Sequence, residues 1–455
     1  MSRQPKFLHS IIAALGLSGA AILPPADAAA QLGSPNPLPG AQGTFAIRNA
    51  RIVPVSGPEI AGGTLVISGG RIAAVGANVA VPPDAHVIDG TGLSVYPGMM
   101  DAATQMGLAE ITQGATPTMD NTEVGSFNPN AIAYYAMNPH NSHVGVTRVV
   151  GVTHVLSRPS SGVIAGQGTL ANLAGWTPAA MTIRQKAALI VSLPRAGGGG
   201  FGFAAQFGGG GGGPNAAAAQ RQREAQLDSL RAMLADAKAY DQAMNAASRD
   251  RALPRPTPDV RLAALVPYVK GELPVIFEAD LAADIRTAVE FAGTEGLKAI
   301  ILGGRDALTV ADLLKEKDVP VIFTRLRQMP PREDDPYDVY FSMPGQLAAA
   351  GVRFAISTGN NGAQVRDLPS MAGMAAAFGL SRDDALRSVT LWPAQIFGLA
   401  DRFGTLEAGK VANVVVTDGD LLEARTLVKH LFIDGRLVPL DTRHTVLYET
   451  HKDRR

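Results

Sequence analysis

The 455-residue chain contains no cysteine, which excludes disulfides, thiolate metal ligands, a catalytic thiol and lipid attachment through an N-terminal cysteine. Any metal centre must therefore come from His, Asp, Glu or a modified Lys, and only eight histidines are available. Net charge is also missing. Forty Lys and Arg balance forty Asp and Glu, so no basic excess draws the chain to phosphate backbones or anionic lipid, and nucleic acid is not an expected partner. The apolar stretch "IIAALGLSGAAIL" at 11–23 is too short for the roughly 20 residues that cross a bilayer. With Arg3 and Lys6 ahead of it and the small residues Ala28 and Ala30 behind, it reads as a signal peptide over residues 1–30, cut near Ala30. The expectation is a periplasmic or secreted protein with no membrane span in the mature chain.

What the chain does have is 46% hydrophobic side chains, enough for a large core. Residues 44–97 are short Val/Ile-rich runs broken by turn formers such as Gly69-Gly70 and Asp89-Gly90, and the same texture returns at 404–440. Both stretches read as strands of one small β domain, with everything between them inserted. That insert, 98–400, carries buried-type apolar runs at 273–278, 298–303, 319–323 and 352–357 with helical stretches between. Segment 281–292 places Leu281, Ile285, Ala288, Val289 and Ala292 on one helical face, as a helix covering a parallel sheet requires. Repeated β-α units predict a (β/α) barrel, with a doubly wound sheet as the alternative.

One stretch breaks the rhythm. "RAGGGGFGFAAQFGGGGGGPN" at 195–215 cannot contribute a core, because glycine loses the most entropy on ordering and buries no side chain. It reads as a loop, and Phe201, Phe203 and Phe207 suit a lid or a docking arm, with an inert linker as the alternative. An Ala-, Gln-, Arg- and Leu-rich helix follows over 216–247 and ends before the proline-rich 253–258.

The succession "GGRIAAVG", "VIDGTGLSVYPGMMDAATQMG", "GVTHV", "LSRDDALRSVTLWPAQIFGL" and "GTLEAGKVANVVV" resembles the amidohydrolase superfamily, in its imidazolonepropionase and prolidase-like branch. The resemblance runs through nearly all of the chain after residue 30. It implies an α/β fold, a distorted TIM (β/α)8 barrel with a small composite β-sandwich domain formed by the N- and C-terminal segments. It also implies one or two divalent metals at the C-terminal mouth, where coordination lowers the pKa of water from 15.7 to about 7.

Residue by residue, that implied metal site is missing. The first barrel strand of the family ends in Asp-x-His-x-His, whereas this chain reads Asp101-Ala102-Ala103-Thr104-Gln105. A later ligand histidine corresponds to Gly303, the usual last-strand aspartate to Gly359, and the His-containing run after 277 to Glu278-Ala279-Asp280. Gln105, His154, Arg158, Glu278, Asp280, Arg305 and Asn360 are the expected pocket-lining residues, with Gln167 and Arg325 also at strand ends. Asp280, just before a helix, also suits an N-cap. No Gly-x-Ser-x-Gly elbow or phosphate loop is present. The reading is a catalytically degenerate amidohydrolase that acts as a binding or scaffold subunit beside a catalytically complete relative, with room for a small-molecule ligand and no cofactor. The alternative is an active C–N hydrolase holding zinc or another divalent metal through Glu278, Asp280 and His154.

Overall fold

The computed structural model describes residues 40–111, 116–193, 216–330, 332–359 and 361–454. The expected signal peptide at 1–30, the glycine-rich segment 195–215 and Asn360 lie outside the described residues.

The chain opens with β1 (Phe45–Ile52), β2 (Ile60–Ser68), β3 (Arg71–Gly76), β4 (His86–Asp89) and β5 (Ser94–Pro97). Eight strands follow: β6 (Met99–Thr104), β7 (Val152–Ser157), β8 (Ile164–Asn172), β9 (Thr182–Val191), β10 (Pro274–Ala279), β11 (Lys298–Gly303), β12 (Val321–Phe323) and β13 (Phe354–Ile356). The last three are β14 (Val414–Thr417), β15 (Val428–Ile433) and β16 (Arg436–Leu437).

Both ends of the chain meet in one sheet of order β16-β15-β14-β5-β1-β2-β3, with β4 beside β1. Its β2–β3 and β15–β16 hairpins turn through Gly69-Gly70 and Asp434-Gly435, all four at positive φ, the geometry that matches strand twist in two-residue hairpins. The sheet curls so far that the Phe45 and Phe432 rings stand 5.2 Å apart, and the Gly70 carbonyl accepts from the Ala412 amide at 3.0 Å. Sandwich-like packing thus comes from one curled sheet around Phe45, Ile47, Leu65, Ile72, Val414 and Phe432.

The second sheet runs β6 to β13 in sequence order and forms the barrel. Inward residues, among them Met100, Leu156, Ile190, Ile276, Ile300 and Ile322, pack with Phe397, Leu399 and Phe403. Their outward neighbours Val275, Phe277, Ile301, Val321 and Phe323 pack in the helical layer. One strand departs from the β-α rhythm. β8 is antiparallel to both β7 and β9. Only residues 158–163 separate β7 from β8, too few for a parallel crossover, which needs a dozen or more.

The helix Ala282–Glu295 buries Ile285, Ala288, Val289 and Ala292, together with Phe291, and stops at Gly296 in the left-handed region. Its N-cap is Leu281, so Asp280 does not cap it; that carboxylate is held by an arginine, as described below. The helix Ala216–Arg249 buries Leu230, Leu234 and Ala237. Arg223 bonds Thr287 at 3.1 Å, and Lys238 pairs with Glu295 at 3.1 Å. Part of its apolar face is therefore packed within the chain.

Candidate functional site

The C-terminal ends of the barrel strands surround a polar cavity of about 260 Å³, lined by Arg158, Glu278, Asp280, Gly303, Arg325 and Thr358 among others. Glu278 shares the inward parity of Ile276 on β10, which carries its carboxylate to the mouth. Arg158 follows β7 and donates to Glu278 Oε1 at 2.5 Å, while Ser192 Oγ donates to Oε2 at 2.6 Å. The same guanidinium reaches the Gly359 carbonyl at 3.2 Å. It thus ties β7 to β10 and to the segment after β13.

Asp280 sits one residue past β10 and is gripped by Arg325, Nε at 2.8 Å and Nη2 at 2.5 Å, with the Arg305 amide at 3.4 Å. This two-point geometry matches a planar guanidinium to a carboxylate and fixes both. Gly303 is what makes room for it. At φ +114° the backbone is one that side chains rarely adopt, and a Cβ there would lie 2.6 Å from Asp280 Oδ1. Gly359, at φ +96°, faces the Thr324 side chain, 3.2 Å from where its Cβ would be.

Asp101 closes the barrel. No ladder joins β13 to β6, and the seam is made instead by the Asp101 carboxylate, which accepts from the hydroxyls of Ser357 and Thr358 and from the amides of Ala103 at 3.2 Å and Thr358 at 3.3 Å. Gly359 N donates to Ala103 O at 3.1 Å alongside it. Full burial raises the Asp101 pKa, and the four hydrogen bonds act against that rise. Ser357, Ser192 and the structural use of Asp101 are absent from the sequence reading, because their partners lie far along the chain.

The other expected pocket residues stand elsewhere. Gln105 accepts from Asn121 at 2.9 Å and donates to Ser160 at 3.1 Å, away from the cavity. Gln167 binds Tyr268 and the Pro129 carbonyl. Arg305 contributes its backbone amide to Asp280, while its own Nε is buried without a partner. His154 lies fully buried, one step closer than Leu156 to the N-terminal end of β7, with its ring 5.1 Å from Phe403. Its Nδ1 meets Thr153 Oγ1 at 2.7 Å, Nε2 has no partner, and burial lowers its pKa to about 3. The expected grouping of His154 with Glu278 and Asp280 does not occur.

The divalent metal implied by the resemblance does not fit these residues. Ala103 offers no donor and is fully buried, Gln105 is committed, Gly303 and Gly359 have no side chain, and a Cβ at Gly303 would overlap Asp280. Two of the three carboxylates lining the mouth, Glu278 and Asp280, are already bound by guanidinium groups. Among the described residues, no three His, Asp or Glu gather into a cation site.

The amidohydrolase family model matches residues 306–438. An imidazolonepropionase of Mesorhizobium japonicum is 32% identical over 155 residues, which is 32% of this chain; the matched stretch spans 35% of that relative's length. An amidohydrolase from Thermotoga maritima MSB8 superposes with a TM-score of 0.75 at 24% identity, over 86% of this chain and 99% of that one. A prolidase complexed with N-methylphosphonate-L-proline gives 0.53 at 17% identity, over 87% of this chain and 99% of that one. At these identities the structural likenesses establish the fold.

Proposed function

We propose that the chain, whose residues 306–438 match the amidohydrolase family model, is a catalytically degenerate member of the amidohydrolase superfamily on its imidazolonepropionase and prolidase-like side, a binding or scaffold subunit that takes a small molecule at the barrel mouth without a metal cofactor. Fold alone does not carry activity; the site does. The observation supporting the proposal is the commitment of two of the three carboxylates that line the mouth, Glu278 to Arg158 and Ser192, and Asp280 to Arg325. A guanidinium held against a carboxylate offsets its charge and so weakens its pull on a cation, and breaking the pair strands a charge. In the same proposal the chain is exported after cleavage near Ala30 and acts beside a catalytically complete relative.

The deciding experiment is metal analysis of the purified protein after dialysis, with a melting curve in excess chelator. The expected result is far less than one zinc or manganese per chain and an unchanged melting temperature. One tightly held ion per chain would sink the proposal. Amino-terminal sequencing of material recovered from outside the cytoplasm should begin at Gln31. Membrane insertion is not part of the proposal: among the described residues no helix is long and apolar enough to span a bilayer.

A further inference from the structure

A second polar cleft, about 760 Å³, lies where the two hairpin turns of the curled sheet meet the lead-in to β1. Arg71, Arg402 and Arg436 line it, together with Asp84 and Asp434. Phe403, beside Arg402, packs on His154 in the N-terminal half of β7, so the cleft belongs to the end of the barrel opposite the mouth. Among the described residues none of its three guanidinium groups has a carboxylate within 4 Å. Elsewhere on this chain Arg51, Arg158, Arg325, Arg353 and Arg382 all do.

Neutral groups hold the three arginines instead. Arg71 donates to the Gly409 carbonyl at 2.6 Å. Arg402 lies 5.2 Å over the Phe403 ring. With its amide oxygen turned toward Arg436, Gln42 accepts from that guanidinium at 3.0 Å. Such contacts orient a guanidinium without cancelling its charge, which leaves it set for an oxyanion. The floor is stiff, since a Cβ on Gly435 would overlap the backbone of Gly70.

The two aspartates restrict the ligand. Three positive charges less two negative ones leave a single excess, too little to hold an extended polyanion. A carboxylate can only accept hydrogen bonds, so it suits a ligand with hydroxyls close to its anionic group. The geometry points to a binding site for a compact hydroxylated phosphomonoester, with phosphate on the arginines and hydroxyls on Asp84 and Asp434. This inference does not depend on the reading of the mouth.

The test is calorimetric titration of the full chain with ribose 5-phosphate, inorganic phosphate and ribose at fixed ionic strength. Ribose 5-phosphate should bind one per chain, at least tenfold tighter than phosphate, with ribose undetected. Arg436→Gln and Arg402→Gln should each weaken it at least fivefold, and Asp434→Asn should weaken ribose 5-phosphate while sparing phosphate. Asn tolerates the left-handed backbone at 434, which keeps that variant foldable, and Arg436→Gln alone suffices if Arg402→Gln does not fold. Absence of saturable binding, or affinities unchanged in Arg436→Gln, would overturn the site. Equal affinity for phosphate and ribose 5-phosphate would reduce it to an adventitious ion only.

Discussion

Each oxygen of Glu278 accepts a short hydrogen bond, and one of the two donors is a guanidinium whose side chain is only 4% exposed. Removing that partner leaves a partly buried charge without compensation. Arg158→Met should therefore cost about 3 kcal/mol in denaturant unfolding, at the low end for a broken buried pair because Glu278 keeps some access to water. The double variant Arg158→Met/Glu278→Met should recover much of that loss. Equal stabilities of the two variants would show that the pair contributes only packing. His154 makes a different prediction, about pH. Its folded pKa of about 3 lies below the unfolded value near 6.5, so protons favour the unfolded chain. Its contribution is fully present above pH 6.5 and is lost as pH falls from there toward 3. Asp101 works in the opposite sense, because its raised pKa lets the folded chain take up a proton more readily as pH falls. The difference between wild type and His154→Gln isolates the histidine: the variant should be less stable at pH 7 and should lose less between pH 6.5 and 4.5. Parallel pH profiles would contradict the assignment.

At the scale of elements, most strands are legible in the amino-acid order itself. The apolar runs at 273–278, 298–303, 319–323 and 352–357 become β10 to β13 nearly in place, because fully buried strands have no polar alternation to disguise them. The direction of β8 is not legible. All nine of its residues are buried, and periodicity reports burial without orientation; the six-residue link ahead of it is the one signal of its reversal. Of the candidate site, Arg158, Glu278 and Asp280 lie at the cavity, whereas Gln105 and His154 turn elsewhere. Strand position alone does not say which polar group finds a partner 120 residues away. The two glycines Gly303 and Gly293 separate site constraint from simple helix propensity. Gly303→Ala meets the Asp280 carboxylate in a left-handed backbone and should destabilise by about 2 kcal/mol. Gly293→Ala, with open space inside the helix Ala282–Glu295, should stabilise by about 0.5–1 kcal/mol. Thermal unfolding of both variants checks the contrast, and similar shifts would refute it.

On the scale of the whole molecule, two long-range joins hold the architecture together. One is the side-chain seam of Asp101 with Ser357 and Thr358, where carboxylate and hydroxyls are 256 and 257 residues apart. Asp101→Ala should open the barrel where no ladder exists, so amide exchange should accelerate first in β6 and β13. Uniform acceleration across β6 to β13 would show that the seam has no separate role. The other join is β5 against β14, where the Ser94 carbonyl accepts from Thr417, 323 residues later. That pairing also sets a schedule. A ribosome delivers the chain from its amino end, and β1 to β5 emerge without the strand that completes their sheet until residue 417 is free. The sheet that joins the two ends of the chain therefore stays incomplete for nearly the whole of synthesis, while the barrel strands between them are already made.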